Sequence, residues 1–147
     1  LGDVYKRQSL LFKNFKMVLI SLIPNIIPLI IAGGIMGYFN IPLKPSSALV
    51  FSIVFGISVD YSIHFLAKFK NELQSKSLED SIVNTINQTG RSMIFTSFIL
   101  FFGFIIFAFS NFGGTIVLGV LTSIILFVAM ITNLTLLPSI ILYFYKK

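Results

Sequence analysis

The chain has 147 residues, of which 56% are hydrophobic and only 11% charged, with a mean hydropathy of +0.95. Soluble chains carry roughly 25% charged residues, so this composition excludes a soluble globular domain. The absence of cysteine excludes a disulfide framework and thiol chemistry. The net charge of +6 sits at the flanks of apolar runs, which points to a membrane surface rather than to nucleic acid.

The chain opens on LGDVYKRQ, residues 1–8. Read back into codons as CTC GGA GAT GTG TAT AAG AGA CAG, this string matches the end of a transposon-type sequencing-library adapter. Residues 1–8 are therefore expected to be a processing artefact, and residues 9–147 a fragment of a transmembrane domain that starts internally at Ser9. Without Asp3, Lys6 and Arg7, nine basic residues stand against four acidic ones, a net charge of +5.

Four stretches reach the length of about 20 mostly apolar residues that a spanning helix needs. They are residues 17–39, 46–67, 92–110 and 115–145, the last long enough to tilt. The expected fold class is an all-α polytopic membrane protein. Lys13, Lys16, Lys68, Lys70, Lys76, Arg91, Lys146 and Lys147 fall on one side of these spans and Lys44 on the other. By the positive-inside rule the first group, and both chain ends with it, are cytoplasmic.

Residues 68–91 form the one sizeable loop. Ser77 followed by Asp80 has capping-box spacing, and Leu78, Ile82, Val83 and Ile86 make one apolar stripe. This spacing predicts an amphipathic helix over 78–89, with Gly90 as its C-cap, lying on the inner membrane surface or serving as a simple spacer. Gly33, Gly34 and Gly37 in the first span are expected at close helix contacts.

Asp60 is the only acid inside any span. A charge at bilayer depth costs several kcal/mol, so such an acid faces a protein interior or a wet pathway. Gly56, Asp60 and His64 recur at i, i+4, i+8 on one helix face, and the glycine admits a close neighbour. An acid beside a histidine one turn away has the chemistry of a proton relay. A structural acid, hydrogen-bonded between helices, is the competing reading of Asp60, and an interfacial side chain that of His64. At 1.5 Å per residue Asp60 lies roughly 12 Å from the inner boundary, and Asn25 falls at about the same depth. Thr96 and Ser97 lie between the levels of Asp60 and His64, so all three are candidate polar neighbours. Thr and Ser also commonly bond their own helix's carbonyls. Asn25 sits between Pro24 and Pro28, which free backbone carbonyls there.

The run Gly56-Ile-Ser-Val-Asp60-Tyr61-Ser-Ile-His64 resembles the GxxxD-Y-x-x-H motif of the resistance-nodulation-division (RND) transporter superfamily, and most closely its MMPL-type branch, related to Patched, Dispatched and the sterol-sensing proteins. PNIIPLIIAGGIMGYFNIPL before it, and TGRSMIFTSFILFFGF, NFGGTIVLG and LTLLPSIIL after it, resemble that branch in order and spacing. The likeness covers residues 9–147. It implies four of the six helices of one half of a permease in a bacterial cytoplasmic membrane, most simply the C-terminal half. It implies proton-motive-force-driven export of lipids, hydrophobic compounds or drugs, with Asp60 and Tyr61 meeting a counterpart pair in the other half. The alternative is a lipid-sensing or regulatory module of the Patched or sterol-sensing type. The implied partners are membrane lipid, the N-terminal half of the same chain, and a periplasmic protein or second copy. No nucleic acid, cofactor or metal is expected, with protons as the coupling ion, although the same acid would suit sodium. No metal-ligand cluster, nucleophile triad or nucleotide loop marks an enzyme.

Overall fold

The computed structural model describes residues 2–145, with side chains from 19 to 144. Of the basic residues, the side chains of Lys13 and Lys16, and all of Lys146 and Lys147, lie outside this description. Five α-helices follow in order: α1 (Gly2–Tyr38), α2 (Pro45–Glu72), α3 (Leu78–Thr85), α4 (Arg91–Ile105) and α5 (Gly113–Tyr145). A π turn, Ile86–Gly90, joins α3 to α4, and a 3-10 turn, Ile106–Phe109, extends α4. Among the described residues four helical segments are long and apolar enough to cross a membrane: Leu19–Tyr38, Pro45–Glu72, Leu78–Phe109 and Gly113–Phe144. The protein is an all-α polytopic membrane protein.

The ends of the spans follow from local chemistry. Asn40 closes α1 in the left-handed conformation (φ 52°), and the Ile41 amide donates to the Met36 carbonyl at 2.8 Å. Asparagine tolerates that conformation better than other non-glycine residues. Pro45 then opens α2, where a missing N–H costs nothing, and the Ser47 hydroxyl accepts the Lys44 amide at 2.8 Å. Pro24 and Pro28 lie inside α1, and Pro138 inside α5, without ending either helix.

The second helix outruns its expected end at residue 67, because its buried stripe continues through Phe65 and Phe69. Lys68 and Lys76 also pair with Glu72 at 2.7 Å each. The loop shrinks accordingly to residues 73–77. Ser77 does cap α3, accepting the Asp80 amide at 3.2 Å, and its hydroxyl donates to the Asp80 carboxylate at 2.6 Å. The apolar stripe of α3 does not simply face lipid. Ile82 is buried, and Leu78 and Ile86 pack with it against the bundle, leaving Val83 exposed. Nor does Gly90 end a helix, since its φ of −60° and ψ of −41° are helical and α4 follows directly. Its role is proximity: a Cβ there would lie 3.2 Å from Leu134 Cδ2.

Helix α5 packs against α1, α2 and α4, and is the axis of the bundle. Two apolar clusters surround it. One joins Tyr61, Phe65, Phe69, Ile82, Met93, Met130, Leu137 and Ile141 at the end carrying the basic flanks. The other joins Ala32, Met36, Val50, Val54, Leu121, Ile125 and Leu126 at the opposite end. Phe98 and Phe101 of α4 meet Phe127 of α5 edge to face, with centroids 5.2 and 5.0 Å apart. The outer side of α4 exposes Phe95, Ile99, Phe102 and Ile106, as a lipid-facing stripe must.

Among the described residues the closest helix approach at a glycine lies at Gly119 rather than in α1. A Cβ on Gly33, Gly34 or Gly37 would meet nothing within 4 Å, whereas one on Gly119 would lie 2.6 Å from both the Phe104 carbonyl oxygen and Phe107 Cβ. Gly119→Ala should therefore force α5 off the 3-10 turn and destabilise the protein by about 1–3 kcal/mol. Gly33→Ala should leave stability unchanged or slightly raised. Thermal unfolding of the detergent-purified protein checks both, and equal melting temperatures for the two variants would contradict the packing described.

Candidate functional site

The buried stripe of α2 runs Val50, Val54, Ser58, Ser62, Phe65, Phe69, advancing by three or four residues and so keeping to one side. Asp60 lies two residues from both Ser58 and Ser62, roughly 200° around the helix, and therefore points away from the core. The structure places it there. Its side chain is 62% exposed and that of His64 69%, and the His64 Nε2 and Asp60 Oδ1 atoms stand 3.3 Å apart. The relay spacing is thus realised as a contact between two side chains on the outside of this bundle.

That outside surface is a groove. Between α2 and the segment formed by the π turn and α4 lies an open cavity of about 490 Å³. Asp60, His64 and Asn71 line one wall, and Gln88, Ser92 and Thr96 the other. The π turn adds a residue per turn, which carries Gln88 and Thr89 to the wall, and single π turns of this kind concentrate at functional sites. Lys68 stands at the groove's basic end, tied to Glu72. Thr96 is therefore a neighbour of the Asp60 pair across the groove.

Tyr61 borders the same groove but is enclosed by the bundle. It is 3% exposed, and its hydroxyl shares a 2.6 Å hydrogen bond with the Ser97 hydroxyl of α4. Consecutive residues Asp60 and Tyr61 both line the groove, but Asp60 stands open in it whereas Tyr61 is enclosed and bonded to Ser97. Ser97 serves Tyr61, not Asp60. Among the described residues none approaches Gly56, where a Cβ would meet nothing within 4 Å.

Asn25 reaches the predicted depth but the opposite face of α2. Its Oδ1 accepts the Ser58 hydroxyl at 2.7 Å and lies 2.9 Å from the Ser62 hydroxyl. The fourth member of this cluster is Asn133 of α5, whose Oδ1 accepts from Ser62 at 2.6 Å and whose Nδ2 donates to Ser58 Oγ at 3.0 Å. Sequence reasoning passed over Ser58, Ser62 and Asn133. A signal was present, because Asn133 is the only amide between residues 115 and 145, and the two serines bracket Asp60 at i−2 and i+2.

With this geometry in view, comparison with known proteins decides the relationship. The model of the MMPL family matches residues 10–146. The chain belongs to the MMPL family. A Methanocaldococcus jannaschii protein described as a membrane protein is 28% identical over 124 residues, which cover 84% of this chain and 32% of the relative. The MMPL chain thus spans about a third of that relative's length. No solved structure matches it. Family membership and the four apolar helices make the segment part of a multi-pass membrane protein.

The Tyr61–Ser97 bond permits a direct test. Ser97→Ala leaves a buried phenol without a partner and should cost about 1–3 kcal/mol, while adding Tyr61→Phe should recover most of it. Denaturation of both single variants and the double checks this. Additive losses would show that the hydroxyls do not bond.

Proposed function

We propose that this MMPL segment is part of the membrane domain of a proton-motive-force-driven exporter of lipids, hydrophobic compounds or drugs, with Asp60 carrying the coupled proton. The observation that carries the reading is the Asp60–His64 pair standing open in a polar-walled groove. A buried structural acid would be enclosed by its own bundle. This one faces outward at bilayer depth, where an uncovered charge costs about 2.5–3.5 kcal/mol on insertion scales. Cover from the remainder of the full-length protein meets that cost, and a face reserved for such cover suits an acid that changes charge.

The groove supplies the route. A proton reaching Asp60 has His64 at 3.3 Å as its next station, and Asn71, Gln88 and Ser92 beyond it can order water. On this reading the basic end is cytoplasmic, so the groove discharges inward. Protonation removes a charge from the covered face, so the neutral and ionised forms favour different packings of α2. That difference is what a transport cycle requires. Tyr61, held by Ser97, anchors the helix beside the acid.

The test uses the full-length protein in liposomes with a pH-sensitive dye trapped inside. An imposed proton gradient should drive acidification in the wild type. With Asp60→Asn the rate should fall to that of empty liposomes, and with His64→Gln to an intermediate value. Wild-type flux through Asp60→Asn would overturn the proposal.

A further inference from the structure

The relay reading leaves unused a fully buried polar cluster. Asn25, Ser58, Ser62 and Asn133 are 1%, 0%, 1% and 0% exposed, and they join α1, α2 and α5 between the two apolar clusters. All four hydroxyl–amide pairings fall within hydrogen-bond reach: Ser58 and Ser62 to Asn25 at 2.7 and 2.9 Å, and to Asn133 at 3.0 and 2.6 Å.

Counting protons shows what this arrangement permits. The single Ser62 proton has two acceptors, the Oδ1 atoms of Asn133 and Asn25. The two Nδ2 protons of Asn133 have four: the Ala129 carbonyl, Ser58 Oγ, Asn25 Oδ1 and the Ser58 carbonyl, at 3.0, 3.0, 3.3 and 3.5 Å. The Ser62 proton and the Asn133 amide protons thus each have more than one acceptor within reach, so partners can exchange as the helices shift. The buried Asn25 Nδ2 has no partner, so the arrangement seen is not a fully satisfied one. A cluster serving only cohesion would gain from one fully satisfied arrangement.

The backbone around the cluster is also loosened. Pro28 removes the bond to the Pro24 carbonyl, Pro24 that to Ile20, and Pro138 that to Leu134, the neighbour of Asn133. Both helices that grip α2 thus bend most easily near where they grip it. The grip acts on Ser58 and Ser62, directly behind Asp60.

We propose that Asn25, Ser58, Ser62 and Asn133 form a polar pivot that sets the rotation of α2 and thereby holds Asp60 toward the groove. They are positioning residues for the relay, acting through α2 without touching the acid. The inference rests on the proton reading of Asp60. Charged and titratable groups near Asp60 are Tyr61, His64 and Lys68 of its own helix. The facing π turn and α4 present neutral Gln88, Thr89, Ser92 and Thr96. The described parts of α1 and α5 place no titratable side chain at this level.

Dicyclohexylcarbodiimide, which adds a protonated carboxylic acid across its C=N bond, reads this positioning in the full-length protein in native membrane vesicles. Mass spectrometry of the Asp60 peptide measures the rate. Ser62→Val and Ser62→Thr have the same size and differ in the hydroxyl. Labelling of Asp60 should slow about threefold or more in the valine variant, the ratio expected from one interhelical hydrogen bond, and return toward wild type in the threonine variant. Ser58→Ala, which only removes atoms, should slow labelling likewise and serves if neither Ser62 variant accumulates. Equal rates in the valine and threonine variants, or a wild-type rate in Ser58→Ala, would overturn the pivot while leaving the relay intact. A wild-type Asp60 that takes no label at any pH would instead overturn the relay reading, and the pivot with it.

Discussion

Hydrocarbon offers no hydrogen-bond partner, and this one constraint shapes every level of the protein. It requires helices, because only a helix satisfies its own backbone within a single span. It explains why the buried hydroxyls of Thr132 and Ser123 turn back onto carbonyls of their own helix, Thr132 onto those of Val128 and Ala129 and Ser123 onto that of Val120. It explains why polar groups that cannot bond locally converge. Asn25 and Asn133 are 108 positions apart, yet meet around two serines of a third helix. Without that convergence each buried amide would face an apolar core.

The same constraint makes the Asp60 pair the exception. Ser58 and Ser62 are enclosed by α1 and α5, whereas Asp60 and His64, two residues on from each, stand in an open groove. One helix thus carries two polar faces with different fates, one completed inside this chain segment and one left for other elements. The division matches a chain that spans about a third of its relative's length. It also gives the proposed cycle a mechanical form, with chemistry on the open face of α2 and guidance on the closed one.

Much of this was legible in particular residues. The spans followed from apolar run length, the depth match of Asn25 with Asp60 from helical rise, and the capping role of Ser77 from its spacing to Asp80. The failures have a common cause. Gly90 read as a terminator because glycine ends helices, but here Leu134 approaches so closely that a larger residue would press against it. Gly33, Gly34 and Gly37 read as contact points because small residues admit neighbours, but among the described residues no neighbour comes within 4 Å. A glycine permits closeness, and only the partner helix makes it happen. The stripe of α3 read as either a membrane face or a spacer because a hydrophobic surface does not announce whether lipid or protein covers it.

The sequence by itself determined the medium, the number of the spans, and the placing of Asp60 and His64 on one face of one helix. These depend on composition and on the 3.6-residue period, which are local. Only the tertiary structure decided that α5 is the axis, that Tyr61 bonds Ser97 while Asp60 faces outward, and that Asn25 meets Ser58, Ser62 and Asn133. Those outcomes depend on the rotation of each helix about its own axis. That rotation is set by packing between distant segments, and a one-dimensional pattern does not encode which polar residues will share a level and a side.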